Sequence, residues 1–148
     1  MEKPDINSQA VGAQLAIYQG IITRMANNAA SCKTLAITIV SAILVVLADK
    51  DKPQYAYIAA VPVVLFFLLD GYYLHLERCF IGSYNKFLRH VHEGTATEQE
   101  LFRIAPPRGL GTLCKGVGVS IFSVSVWPLY LTLAALTLLM RFLLFKGP

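Results

Sequence analysis

The chain reads as an all-α membrane protein with three transmembrane helices, the first two forming a long antiparallel hairpin with a cytoplasmic two-helix stalk. Three observations lead there. Of the 148 residues, 55% are hydrophobic and only 15% charged, whereas a soluble domain carries about a quarter charged residues. No charge interrupts the 25 residues from Gly116 to Met140, and roughly 20 apolar residues cross a ~30 Å hydrocarbon core. Two further charge-free runs, 34–48 and 55–69, flank the polar cluster Asp49 to Pro53.

The first helix is expected at 8–48, with its span at 34–48. Val11, Leu15, Tyr18, Ile22, Met25 and Ala29 recur at alternating steps of 4 and 3, and the register continues through Cys32, Ala36, Ile39, Ile43 and Val46. That is an a/d seam running from a polar-rich segment into an apolar one. Ser8 is a suitable N-cap, and the Asp-Lys-Asp-Lys-Pro turn stops the run. Lys33 lengthens the 15-residue apolar run by snorkelling.

The second helix is expected at 54–92, its span completed to 55–74 by Tyr72 and Tyr73 in the headgroup zone. Beyond the span, Tyr73, Leu76, Phe80, Tyr84, Phe87 and Val91 again step by 3 and 4. Pro62 should kink this helix and free the carbonyl of Ile58, and Gly94 should end it. Two helices of nearly equal length joined by a short turn should pack antiparallel, pairing residues whose numbers sum to about 102. Lys33 then approaches Asp70, and Arg24 approaches Glu77. Thr97 with Glu100 fits a capping box for a short helix at 97–104, stopped by Pro106 and Pro107. The third span is expected at 116–145.

Orientation follows from Lys and Arg. With the N-terminus inside, nine of the 13 basic residues lie on the inner side and four outside. The positive-inside rule favours that arrangement, with the C-terminus outside. The net charge of +4 then reports topology, and no direct nucleic-acid partner is expected. The first 33 residues are polar-rich and lack the early apolar core of a secretory signal. Cys32, Cys79 and Cys114 are odd in number and lack metal spacing, so reduced thiols are expected.

Little here looks catalytic. His90 and His92 point about 200° apart on a helix and cannot share a metal. His75 and Cys79, at i and i+4, offer two ligands with nothing to complete the set. The glycine-rich stretch from Gly109 to Val119 follows no strand and is not a phosphate loop. No Ser-His-Asp, Cys-His or paired-carboxylate arrangement is visible, so neither enzyme activity nor a cofactor is expected. Asp70, a carboxylate at the edge of a span, is a candidate functional residue by its position alone. Gly116, Ser120, Ser123 and Trp127 step by 4, 3 and 4, giving a small, polar face that either packs against helices or lines a pore between subunits. Three helices enclose no aqueous path, so permeation would require a homo-oligomer.

The run from Phe66 to Phe87, FFLLDGYYLHLERCFIGSYNKF, places an Asp at the end of a span, then an aromatic pair, Glu-Arg, an aromatic and a Tyr: Asp70, Tyr72, Tyr73, Glu77, Arg78, Phe80 and Tyr84. This pattern resembles small transmembrane effectors of bacterial antiphage systems, of the retron or nucleotide-signalling type. The resemblance implies an inner-membrane protein that disrupts the bilayer when activated and arrests or kills the infected cell. It also implies activation through assembly or through a protein partner from the same defence locus. Ile81 stands where many such effectors have a basic residue, and the soluble sensor domain that some carry is absent. On this reading Arg24, Lys33, Asp70, Tyr73, Glu77, Arg78 and Tyr84 form a regulatory junction between stalk and membrane. The competing expectation is a non-catalytic assembly subunit of a larger membrane complex.

Overall fold

The computed structural model describes residues 9–50, 53–97, 104 and 110–144. Among them the protein is helical, without strands. Helix α1, Gln9–Asp49, runs unbroken for 41 residues, or about 60 Å at 1.5 Å per residue. Its buried face is Val11, Gln14, Tyr18, Met25, Ala29, Cys32, Ala36 and Val40. The expected seam holds as far as Ala36 in broad outline, although Gln14 is wholly buried where Leu15 was expected to lead. Beyond Ala36 it holds only in part: the stripe passes to Val40, with Ile43 packed beside it, while Ile39 and Val46 are 38% and 58% exposed. A straight helix drifts about 20° per heptad against a 3.5-residue repeat, so a strict heptad reading leaves the true contact face within a few turns. Ser8, the expected cap, lies outside the described residues.

The return helix differs from expectation at its start. Pro53–Ala59 forms a 3₁₀ segment, and helix α2 spans Ala60–His92. Pro62 therefore sits in the first turn of α2 instead of kinking its middle. It has no N–H to give the carbonyl of Ile58, so the α-helical ladder cannot extend back through that position and the chain before it winds more tightly. At the far end Gly94 takes φ 64°. Its amide donates to the carbonyl of Val91 (3.1 Å) and that of Thr95 to His90 (2.9 Å), the paired bonds of a Schellman stop. The short helix expected at 97–104 falls outside the described residues apart from Thr97 and Ile104, which are not helical.

Helices α1 and α2 pack against each other in opposite directions. Away from the connecting turn, Val11 and Tyr18 meet Phe87, Val91 and Ala96. The Tyr18 ring lies 6.3 Å from both Tyr84 and Phe87, centroid to centroid. Toward the turn, Ala36 and Val40 of α1 pack with Ala59 and Val63. Cysteines replacing Tyr18 and Tyr84, in a chain stripped of its native thiols, are therefore expected to crosslink within one molecule. Crosslinks found only between molecules, on non-reducing gels of diluted protein, would show that this packing is wrong.

The third apolar stretch is not one helix. Helix α3, Leu110–Ile121, and helix α4, Trp127–Leu144, are separated by a non-helical segment at 122–126. The expected continuous span at 116–145 is thus corrected, and the reason is local. Pro128 cannot donate to Val124, and Ser123, Val124, Ser125 and Val126 are all poor helix formers. The turn closes on itself: the carbonyl of Ser123 accepts from Val126 (2.8 Å) and Trp127 (3.2 Å), and the Ser123 amide donates to Ser120 (3.0 Å). Val126 at the end of the break, with Tyr130 and Leu133 of helix α4, joins the core near the hairpin turn.

The outer surface of this end is apolar. Val45, Val61, Leu131 and Phe142 are 61–70% exposed. Helix α1 and the continuous segment Gln54–His92 are each long and apolar enough to cross a membrane; α4 carries a shorter apolar stretch, Trp127–Phe142.

Candidate functional site at the helix break

All four helices come together near the α3–α4 break. Lys33 of α1 reaches across to Asp70 of α2, its Nζ 2.8 Å from Oδ1 and 2.7 Å from Oδ2. The Asp70 side chain is wholly buried, while Lys33 retains 26% exposure. A buried carboxylate demands a charged partner, and the lysine stem lets the ammonium meet it while touching the polar edge. Tyr130 of α4 is buried against α2, its ring centroid 5.4 Å from that of Phe67.

Gly71, the next residue, is where α3 closes on α2. A Cβ at Gly71 would come within 2.5 Å of Ile121 Cγ1. Five residues earlier on α3, a Cβ at Gly116 would run into the His75 ring. Ser120 lies between these approaches and is 1% exposed. Gly116 thus packs against α2 inside one molecule, and Ser120 is buried on the same helix. Small residues let two backbones come close.

Arg78 supplies the second polar link. Its Nη2 donates to Ser123 Oγ at 2.9 Å, tying α2 to the break itself. Trp127, at the start of α4, is 42% exposed and faces an apolar groove. Of the remaining expected junction residues, Tyr73 stacks edge-on with Tyr72 (centroids 5.6 Å apart) and Tyr84 meets Tyr18. Arg24 is exposed and makes no ion pair with Glu77, which is half-buried. The register that pairs Lys33 with Asp70 does not bring this second pair together, Arg24 lying on the exposed side of α1.

Two participants escaped sequence reasoning, Tyr130 and Gly71, and His75 was weighed only as a metal ligand. One signal pointed at Tyr130. The steps from Gly116 through Ser120, Ser123 and Trp127 reach it with one further step of 3. His75 is also within 3.6 Å of Cys79 Sγ through Nε2, the contact expected of residues four apart.

The fold and junction define an all-helical protein with two helices of membrane-crossing length and a polar node at a break in the third apolar stretch. No family model matches the chain, and no curated protein or solved structure is significantly similar to it.

Proposed function

We propose that this protein is a membrane-disrupting effector of a bacterial antiphage system, seated in the inner membrane with its N-terminus cytoplasmic and its C-terminus outside. The apolar ends of α1 and α2, together with α4, form three spans, and the ends carrying Tyr18 and Tyr84 form a cytoplasmic stalk. The exposed apolar side chains around the hairpin turn support burial in lipid, since a surface of that kind in water would drive aggregation. The excess of basic residues in the N-terminal segment and second loop supports the orientation. The defence role itself rests on the resemblance of the run from Phe66 to Phe87.

The observation that carries the mechanism is the hydrogen bond from Arg78 to Ser123. It joins the stalk helix to the one place where the third span is already discontinuous. A signal that moves the stalk, whether from a partner protein or from self-assembly, thereby acts on the docking of α3. In the packed form Gly116 is covered by α2 and Ser120 is buried, so the resting protein is closed. Release of α3 exposes small and polar positions for association between copies, and a homo-oligomer then breaches the bilayer. No enzymatic step or cofactor enters this scheme.

Controlled expression of the full chain in a bacterial host tests the proposal. Growth arrest with loss of membrane potential, read by a voltage-sensitive dye, is the expected result. Normal growth and potential at equal protein abundance would instead favour the assembly-subunit reading.

A further inference from the structure

The groove beside the break is lined by Val63, Val64 and Phe67 of α2, Phe122 of the break, and Trp127 and Leu131 of α4, and holds about 370 Å³. It opens outward: Val64, Leu131 and Phe122 are 54%, 61% and 80% exposed. Ser123, whose hydroxyl accepts from Arg78, is the neighbour of Phe122 in the chain. The Arg78 guanidinium has a neutral hydroxyl as partner and no carboxylate within ion-pair distance among the described residues, whereas Lys33 is matched by Asp70. Next to the groove, through Ser123 and Phe122, therefore stands a cation that no described carboxylate neutralises.

We propose that this groove and Arg78 form a binding site for an anionic phospholipid of the inner leaflet. The inference rests on the membrane reading given above. Arg78 and Ser123 would hold the headgroup phosphate, to which a guanidinium offers a planar, two-pronged donor. An acyl chain would lie along the groove. The lengths agree. Val63 to Phe67 lie 11 to 15 residues from Arg78, or about 16–22 Å along the helix axis, and the arginine side chain reaches back toward the break. Half of a ~30 Å hydrocarbon core plus a headgroup covers that distance. A free phosphate would use the cation and leave the groove without purpose; a lipid uses both.

The test is native mass spectrometry of the full-length protein, purified in mild detergent and offered phosphatidylglycerol or phosphatidylethanolamine. One phosphatidylglycerol should be retained per chain, preferred over phosphatidylethanolamine by roughly tenfold, because the ethanolamine ammonium repels Arg78 and competes with it for the phosphate. Arg78→Gln should erase the preference, Arg78→Lys should keep part of it, and Val64→Trp, at an exposed position, should reduce retention of both lipids. Equal preference in wild type and Arg78→Gln would overturn the proposal. So would displacement of the lipid by millimolar inorganic phosphate, or a chain dimer that excludes lipid. Alkaline carbonate extraction separates the two levels of inference. Protein that stays in the membrane pellet yet retains no lipid defeats this site alone, and protein released as soluble defeats the membrane reading with it.

Discussion

Lys33→Met is expected to destabilise the protein more than Asp70→Asn, although the two residues form one pair. Removing the lysine strands a carboxylate with no exposed side-chain surface. Breaking a buried pair from one side costs about 3–5 kcal/mol, because the remaining charge is neither solvated nor matched. Removing the carboxylate leaves an ammonium that is already 26% exposed on a flexible stem, and the amide of Asn can still accept its hydrogen bond. That loss should be about 1–2 kcal/mol. The double variant should be markedly less than additive, with a coupling of about 1–3 kcal/mol. Thermal melts of the four proteins in one detergent measure the cycle. Additive losses, or equal losses from the two single variants, would show that the pair is not the buried contact described here. In the proposed effector, Asp70→Asn should also change the expression level at which growth stops.

Ser120→Leu is the second substitution with a large expected effect. Ser120 sits on α3 between Gly116 and Ile121, where α2 approaches through His75 and Gly71, and it is 1% exposed. Leucine adds bulk where two helices already touch, and overpacking of this kind costs about 1–3 kcal/mol. Folded protein recovered by size exclusion should fall, and the same substitution combined with Ser123→Leu should fall further as Arg78 loses its acceptor. Ser123→Leu alone should be milder, since that residue is only half-buried. Unchanged recovery of the double variant together with abolished depolarisation would instead mark the face as a water path.

The hairpin register was legible in the sequence because it depends on periodicity and on one opposite-charge pair. Lys33 and Asp70 follow from matching two helices of similar length about a short turn. Tyr18 against Tyr84 follows from the same arithmetic. What escaped is of a different kind. The stripe on α1 left its heptad at Val40 because a small angular drift accumulates, and short patterns do not reveal it. The break at 122–126 was foreshadowed by Pro128 and its β-branched and serine neighbours. An apolar run without charges nonetheless reads as continuous when hydropathy is weighed above local propensity. The close approach at Gly71 could not be read, and at Gly116 packing was one of two readings with no partner named, since a glycine in a helix marks only an absence of side chain. Its partner, Ile121 or His75, is fixed by tertiary packing.

The interruption between α3 and α4 also sets how the third segment responds to force. An intact helix resists bending because its ladder of amide-to-carbonyl bonds must stretch on one side. Here the ladder already stops at Ile121 and restarts at Trp127. Rotation about the intervening residues need break no helical bond. The stiffness of the joint resides in the turn's own backbone bonds at Ser123 and in contacts borrowed from α2: the Arg78 bond to Ser123, and the close seats of Ile121 on Gly71 and of Gly116 on His75. α3 is in this sense a lever whose pivot is built into its own backbone and whose latch belongs to a neighbour. Changes at Gly71, His75 or Arg78 will alter its compliance without touching a single residue of the segment that moves.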